Sequence, residues 1–419
     1  MQARTDRTES KTVEGRFEWV VVGGGIHGTY VARELLDAGV SREDIVILDT
    51  HGKLLGSFRR KARACGMETL RSNYVQHVGP TPFGLERFAE THEREDELVP
   101  TRNSQPRPTV DLFLDYADHV VDRFGLAGLV REATVTGIDR DDSLVVQLQG
   151  GTSHDQIRAT RVVLAVGQGD RYRRPEWAVD QSRVEHVWDT GTSPAETVET
   201  DETVWVVGGG TTAGQVATSM ADHVERVTLC TRHPLEEALR EADPRWLNWR
   251  HIERELHSLP PGSKARYERV RDARNDATMP QYLLAELRSS ETLAVCHDQI
   301  IEVFETDDGL LVSCEHGTDS GVDRIVLATG FEPVSDHPLV RSAADSLSLA
   351  RGYRGLPVLD DETLAWQTQN GDNSNIFVTG ALAATTVGAF AGNVPGARRA
   401  AERLVDDATV TSTAAPLTS

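Results

Sequence analysis

Trp19-Val20-Val21-Val22-Gly23-Gly24-Gly25-Ile26-His27-Gly28 decides the fold. Its apolar start reads as a parallel strand covered on both faces. The glycines at 23, 25 and 28 fit G-x-G-x-x-G. Gly23 permits a tight turn, Gly25 lets the backbone approach a pyrophosphate, and Gly28 lets helix and strand pack closely. The helix expected over 26–38 points free N–H groups and its dipole at an anion, and Gly39 stops it. The strand expected over 44–49 ends in Asp49, about 20 residues beyond the turn, where a carboxylate accepts hydrogen bonds from ribose hydroxyls.

A second copy stands near the middle: Val204-Trp205-Val206-Val207-Gly208-Gly209-Gly210-Thr211-Thr212-Ala213-Gly214. Gly208 and Gly210 take the first two motif places and Ala213 the third, with a helix expected over 213–223. The partner strand, 226–230, runs into Thr231-Arg232-His233 and carries no acid. A carboxylate would repel a 2′-phosphate, whereas Arg232 can pair with one through bidentate hydrogen bonds. The plainer alternative is an arginine that only meets solvent. The first loop is therefore read as the FAD site and the second as the NADPH site. The fold class is α/β, with two Rossmann-like dinucleotide-binding domains of the three-layer ββα type and the NADPH domain inserted in the FAD domain. The expected parts are a disordered lead over 1–16, FAD-binding segments over 17–200 and 318–405, an NAD(P)H-binding domain over 201–317, and a disordered tail over 406–419.

Composition narrows the function. The chain has 419 residues, 39 % of them hydrophobic, which suits two or three domains with real cores. Its formal charge of −21 argues against nucleic acid and against anionic membranes. Lys11, Lys53, Lys61 and Lys264 are its lysines, and the other basic residues are arginine. Such acidity suits a salt-adapted cytoplasm or an ordinary one. The first 15 residues are polar and lack an apolar signal core. No apolar run approaches the roughly 18 residues of a membrane span. Cys65, Cys230, Cys296 and Cys314 form no C-x-x-C, so neither a redox disulfide nor a metal site is expected.

Between the motifs, Gly56-Ser57-Phe58 is followed by a polar and aromatic stretch over 66–80 containing Asn73, Gln76 and His77. It reads either as a ligand-lining loop or as plain surface. The charged stretch 86–108 reads as a surface insertion, and 110–124 as a packed helix. Strands are expected between 130 and 166, with turns at Asp141-Asp142 and Gly150-Gly151. The region 236–290 reads as helical, and strands return over 292–296, 300–305 and 310–315. Asp323 to Phe331 is an apolar strand ending in Ala328-Thr329-Gly330, where backbone turns close to a ligand. A helix expected over 395–405 aims its N-terminus at the isoalloxazine edge of the flavin.

On these motifs the chain resembles the two-dinucleotide-binding-domain flavoproteins, and more narrowly the flavin monooxygenases that include the lysine and ornithine N-hydroxylases. Asp323-x-x-x-Leu327-Ala328-Thr329-Gly330-Phe331 is similar to their D-x-x-x-L-A-T-G-Y signature, with Phe for Tyr. The resemblance implies that Phe58 lies on the flavin and that Asn73 and Gln76 contact it. There are departures. The F-x-G-x-x-x-H-x-x-x-W linker of the Baeyer–Villiger and related monooxygenases is broken, because Val184-Glu185-His186-Val187-Trp188 keeps its His and Trp at another spacing. The Gly-Asp step of the disulfide reductases is Gly380-Ala381 here. The implied activity is an FAD-dependent, NADPH-reduced monooxygenase acting through a C4a-hydroperoxyflavin on a small soft nucleophile, foremost an amine. The alternative is an NAD(P)H oxidoreductase that passes electrons to a quinone or protein acceptor. A third reading is a cofactor-binding sensor. No catalytic side chain stands out, and homo-oligomerisation stays open.

Overall fold

The computed structural model describes residues 15–102, 104–149, 156–317 and 320–413. The chain begins with β1 (Arg16–Val22), α1 (Ile26–Asp37), β2 (Ile45–Asp49), α2 (Gly56–Ala64), α3 (Gly84–Thr91) and α4 (Val110–Phe124). Then come β3 (Val130–Glu132), β4 (Thr134–Arg140), β5 (Leu144–Gln149) and β6 (Gln156–Leu164). The middle holds β7 (Val184–His186), β8 (Thr203–Val207), α5 (Thr211–Ala221), β9 (Arg226–Thr231), α6 (Lys264–Ala273) and α7 (Gln281–Ser289). It continues through β10 (Leu293–His297), β11 (Ile300–Thr306), β12 (Gly309–Cys314), β13 (Ser320–Val322) and β14 (Arg324–Leu327). The last part holds α8 (Pro338–Ser346), β15 (Ala365–Gln367), β16 (Asn373–Val378) and α9 (Val394–Thr413).

Two parallel sheets organise these elements. The first runs β15-β16-β6-β1-β2-β3, with β15 antiparallel to β16, β5 antiparallel to β6, and β4 antiparallel to β5. The second runs β10-β9-β8-β14-β7 and is parallel throughout. In each, the strand before the glycine turn sits between two parallel neighbours: Val22 pairs Leu48 and Leu164, and Val207 pairs Cys230 and Leu327. Such doubly covered strands must be apolar on both faces.

The second unit is three-layered, as expected. Val204 and Val206 pack with Ala213, Val216 and Met220 of α5 and Leu283 of α7. Trp205 points to the other side, against Ile300, Val303, Leu310 and Val312 of the antiparallel β11-β12-β13 sheet. The twofold alternation of a strand separates the two layers.

Strand pairing and burial add what the local pattern does not carry. β7 and β14 belong to the second sheet, so the second unit takes chain on both sides of 201–317. The reason is structural symmetry: β8 needs a parallel neighbour opposite β9, just as β6 flanks β1. The stretch 86–108 is largely at the surface, as read, but is anchored at both ends. Leu85 and Ala89 of α3 are buried, and so is Arg107. α9 runs to Thr413, past the expected start of the tail, because Ala397, Ala400, Ala401 and Leu404 pack at helical spacing and propagation then adds one hydrogen bond per residue. Residues 1–14, the Gly150-Gly151 turn and residues 414–419 lie outside the described residues. Among the described residues no helix is long and apolar enough to cross a membrane.

One buried ion pair ties the inserted unit to the C-terminal part. Arg266 on α6, 1 % exposed, grips Asp361 through Nη1–Oδ1 at 2.6 Å and Nη2–Oδ2 at 2.8 Å. Its Nε donates to the Leu259 carbonyl at 2.9 Å. Breaking such a pair leaves a charge without compensation, at a cost of about 3 kcal/mol. Arg266→Ala is expected to lower the urea midpoint accordingly, and Arg266→Lys to restore little, because an ammonium lacks the planar fork.

Candidate functional site

The two glycine turns are built alike. Gly23 has φ 106°, and a Cβ there would lie 2.4 Å from the Ala165 carbonyl oxygen at the end of β6. Gly208 has φ 153°, and its Cβ would lie 2.5 Å from the Ala328 oxygen at the end of β14. A Cβ on Gly28 would fall 1.8 Å from the Gly23 oxygen, so only glycine lets α1 approach β1 this closely. Ala213 fills that place in the second copy, its Cβ 3.0 Å from where a Gly208 Cβ would be.

Gly25 and Gly210 differ from these. A Cβ on either would meet nothing within 4 Å. Both cap helices, α1 and α5, and neither cap has a side-chain hydrogen bond. Each is therefore an open cradle with free N–H groups at the positive end of a helix, a ready anion seat. Such a cradle leaves room for a phosphate group beside the helix start.

The strand ends give the two cradles opposite character. Asp49 Oδ2 accepts from Gly24 N at 2.7 Å and Oδ1 from His51 N at 2.8 Å. A carboxylate has about four lone-pair sites, so two stay available to further donors. In the second unit Thr231 holds the matching place, and Gly209 faces its hydroxyl. Arg232 follows, exposed, with no hydrogen bond or ion pair to another described residue.

Two clefts lie nearby. The first holds about 590 Å³ and includes His51, just past Asp49, with Arg60, Arg171 and Glu332. Its floor is formed where the chain crosses between units. Tyr172 and Phe331 pair antiparallel, with Arg173 N donating to the Gly330 carbonyl at 3.0 Å and Glu332 N to the Arg171 carbonyl at 2.9 Å. Stacked rings cover the crossing: Tyr172 on His186 at 4.7 Å, and Trp188 on Phe331 at 4.7 Å. Lys61 lies 5.2 Å from the Phe331 ring centroid and 3.0 Å from Asp170, and burial lowers its pKa.

The second cleft, a shallow space of about 60 Å³, lies between the units. Asn73 and Gln76 line it from the first, Arg240 and Glu241 from the second, and Phe390 and Pro395 from the start of α9. Asn73 Oδ1 is buried without a hydrogen-bond partner. Arg71 spans the seam. It donates to the Thr211 hydroxyl at the start of α5 at 3.3 Å and to the Ala238 carbonyl at 2.6 Å.

The expected site residues therefore divide. Gly23, Gly25, Gly28 and Asp49 form one cradle, and Gly208, Gly210 and Ala213 the other, with Arg232 beside it. Asn73 and Gln76 meet at the second cleft. Phe58 instead packs edge-on to Phe113, at 5.6 Å, against the first core. Thr329 and Gly330 are taken up by the crossing: Thr329 Oγ1 donates to the Arg173 carbonyl at 2.5 Å. The broken spacing of His186 and Trp188 hid their part in the stack, and nothing in the local pattern marked Arg71.

His27 was also passed over within the glycine motif. Its Nδ1 lies 2.7 Å from the Thr379 hydroxyl, tying the first turn of α1 to the end of β16. Burial lowers the pKa of His27, His77 and His186 to about 4 each.

Two parallel sheets, each opening on a glycine cradle at a helix start, define a two-dinucleotide-binding oxidoreductase. Residues 20–279 match the family described as pyridine nucleotide-disulphide oxidoreductase, and the chain belongs to that family. None of the curated proteins matches it in sequence. Among solved structures, ornithine N-hydroxylase of Kutzneria sp. 744 is similar over 95 % of this chain and 100 % of its own, with TM-score 0.76 and 16 % identity. Ornithine hydroxylase of Pseudomonas aeruginosa is similar over 94 % and 99 %, with TM-score 0.73 and 16 % identity. Bacillithiol disulfide reductase of Staphylococcus aureus follows the same path over 95 % and 99 %, with TM-score 0.63 and 15 % identity. At these identities the likeness is one of fold. All four cysteines are free. Burial pushes the Cys65 thiol up to about 12, which leaves it a poor nucleophile.

Gly25→Ala and Gly28→Ala should part company. Gly28→Ala overpacks the helix–strand contact and should cost about 1–3 kcal/mol in apoprotein urea unfolding. Gly25→Ala should leave the apoprotein intact and weaken dinucleotide binding. The three histidines set a pH dependence. Folding holds their pKa near 4 against an ordinary 6.5, so the unfolded chain takes up protons first as pH falls. Stability should fall from about pH 6.5 to about pH 4, at ~1.4 kcal/mol per pH unit for each fully titrating histidine. His77→Gln should make that slope shallower in stepped-pH denaturation.

Proposed function

We propose that this chain is an FAD-dependent monooxygenase, reduced by NADPH, that transfers one oxygen atom to a small soft nucleophile, an amine foremost. The observation that carries the reading is the second cleft. There the start of α9 and the 73–76 loop of the first unit meet the 239–241 loop of the second, and no thiol lines the space. A dinucleotide extended from the Gly25 cradle and one from the Gly210 cradle would bring their reactive ends to such a seam.

In this reading Gly23, Gly25, Gly28 and Asp49 hold FAD, and Asn73 and Gln76 stand at its ring end. Gly208, Gly210, Ala213 and Arg232 hold NADPH. The FAD-binding part is split, and the NADPH-binding part spans roughly the β7–β14 segment. Bound FAD, once reduced, supplies the oxygen chemistry. The chain's own residues orient both cofactors, present polar groups at the seam, and exclude water from it. No nucleophilic side chain is required.

Two substitutions test the assignments. Asp49→Ala should weaken FAD binding to the apoprotein while leaving the NADP⁺ dissociation constant unchanged. Arg232→Ala should raise the Michaelis constant for NADPH about tenfold to a hundredfold and barely move that for NADH, as expected for a lost charge-assisted contact. Equal effects on both nicotinamides would remove Arg232 from the 2′-phosphate site. The activity itself is tested with isotopically labelled dioxygen: NADPH consumption should place one labelled oxygen in an amine product.

The family match supports a second reading, an NAD(P)H oxidoreductase that delivers electrons to a quinone or protein acceptor. Fast turnover with artificial quinones and no labelled product would favour it.

A further inference from the structure

β10 is an outer strand of the second sheet, and among the described residues it pairs with β9 alone. Leu293 stands opposite Val227, and Val227 N donates to the Thr292 carbonyl at 3.0 Å. In a parallel ladder, successive residues turn their N–H and C=O groups to opposite sides. Thr292, Ala294 and Cys296 therefore face β9, while Leu293, Val295 and His297 turn theirs outward. The same alternation on β9 turns Cys230 toward β8, and its carbonyl accepts there from Gly208 N at 3.0 Å.

Natural sheets protect such edges with charge, brevity or cover. Other outer strands of this chain have that protection. β3 carries Arg131 and Glu132, β7 is three residues long, and β15 is bridged to Leu359 through Trp366. β10 has none of these devices. Residues 292–297 read Thr-Leu-Ala-Val-Cys-His, a run without Asp, Glu, Lys or Arg in a chain where those residues make up 26 %. Val295 is apolar yet 39 % exposed. Leu293 lies two residues back on the same face and packs against the α5–α7 core. Val295 thus extends an apolar row beyond the part that the helices cover.

A second β10 matches this edge. Antiparallel pairing uses outward groups at every second residue, and a copy of the strand offers them at the same positions. A twofold axis at Val295 sets the two valines opposite each other, a β-branched cross-strand pair, and sets Leu293 opposite His297 of the second copy. Ala294 then meets Cys296 of the second copy. The flanking acids meet no like charge, since Glu291 falls opposite Gln299 and Asp298 opposite Thr292. We infer that β10 pairs antiparallel with β10 of a second copy, joining two second-unit sheets into one across a twofold axis at Val295. A five-residue strand buries far less than the roughly 1,200 Å² of a stable interface, and each copy brings a formal charge of −21. The dimer is therefore weak, and salt strengthens it by screening the repulsion.

Sedimentation velocity of the FAD-loaded full chain reads the association. At about 50 μM it should show a monomer–dimer equilibrium, with more dimer in about 1 M salt than in about 0.1 M. Val295→Pro removes an outward N–H and spares every group that faces β9. Val295→Lys keeps the backbone and sets two like charges face to face. Both should sediment as monomers, and Val295→Lys should keep the thermal midpoint and FAD affinity of the parent. The register is read by a thiol. A non-hydrogen-bonded antiparallel pair brings Cα atoms to about 4.5 Å, within the reach of a disulfide. Ala294→Cys treated with diamide should give a covalent dimer through Cys296 of the second copy, and Ala294→Ser should not. A chain that stays monomeric at about 200 μM in high salt overturns the inference. So does a dimer that both Val295 variants leave intact, because another surface then joins the copies. A dimer in which Ala294→Cys forms no covalent link overturns the register and the inference with it.

Discussion

A carbonyl oxygen lying where a Cβ would otherwise be is the constraint on which this structure turns. Ala165 O presses on Gly23 and Ala328 O on Gly208, at 2.4 and 2.5 Å from the Cβ positions. Each contact brings the end of one parallel strand against the start of a glycine turn. The turn then lifts away and leaves Gly25 or Gly210 facing open space. A methyl group at Gly23 or Gly208 would push the strands apart and turn the cradle aside. The same packing rule, used twice, creates two anion seats in one chain. The seats then diverge only in the side chain that closes each unit, Asp49 in one and Thr231 followed by Arg232 in the other.

The repeat also explains what could be read in the sequence. Glycine spacing, the apolar runs and the acid at 49 are local features, so the cradles and the α/β class were legible. α4 ends where its periodicity ends, at Phe124, with Gly125 in the left-handed region at φ 60°. What local pattern does not carry is which distant strand completes a sheet. β7 and β14 enter the second sheet from beyond the expected limits, because pairing is decided by a neighbour about 120 residues away in the chain, a matter of global topology. The ties of Thr329 and Gly330 are equally illegible in the local pattern. Their partner Arg173 is adjacent only once both crossings are in place. Arg71 and Arg240 are two more arginines in an arginine-rich chain until folding sets them around one cleft.

The crossing of the two strands between units is rigid by construction. Backbone hydrogen bonds pair Arg171–Arg173 with Gly330–Glu332, and two stacked ring pairs lie over them. Arg60 adds hydrogen bonds to Asp170, the Tyr172 hydroxyl and the Trp188 carbonyl. A seam so furnished fixes the distance between the two cradles, and the second cleft inherits its shape from it. The buried Arg266–Asp361 pair holds the opposite side, where His257 also reaches the Thr386 carbonyl at 3.0 Å.

The order of strands has a consequence for how the protein is made. β6 lies at the centre of the first sheet, yet its neighbour β16 follows some 200 residues later, after the entire second unit. During synthesis the first unit waits with an apolar strand edge unpaired while the second unit completes itself. An open edge of Val162, Val163 and Leu164 is a template for pairing with another nascent chain. A strongly negative net charge opposes such encounters between copies. A net charge of −21 would therefore weaken contacts between copies while half of the sheet is still missing.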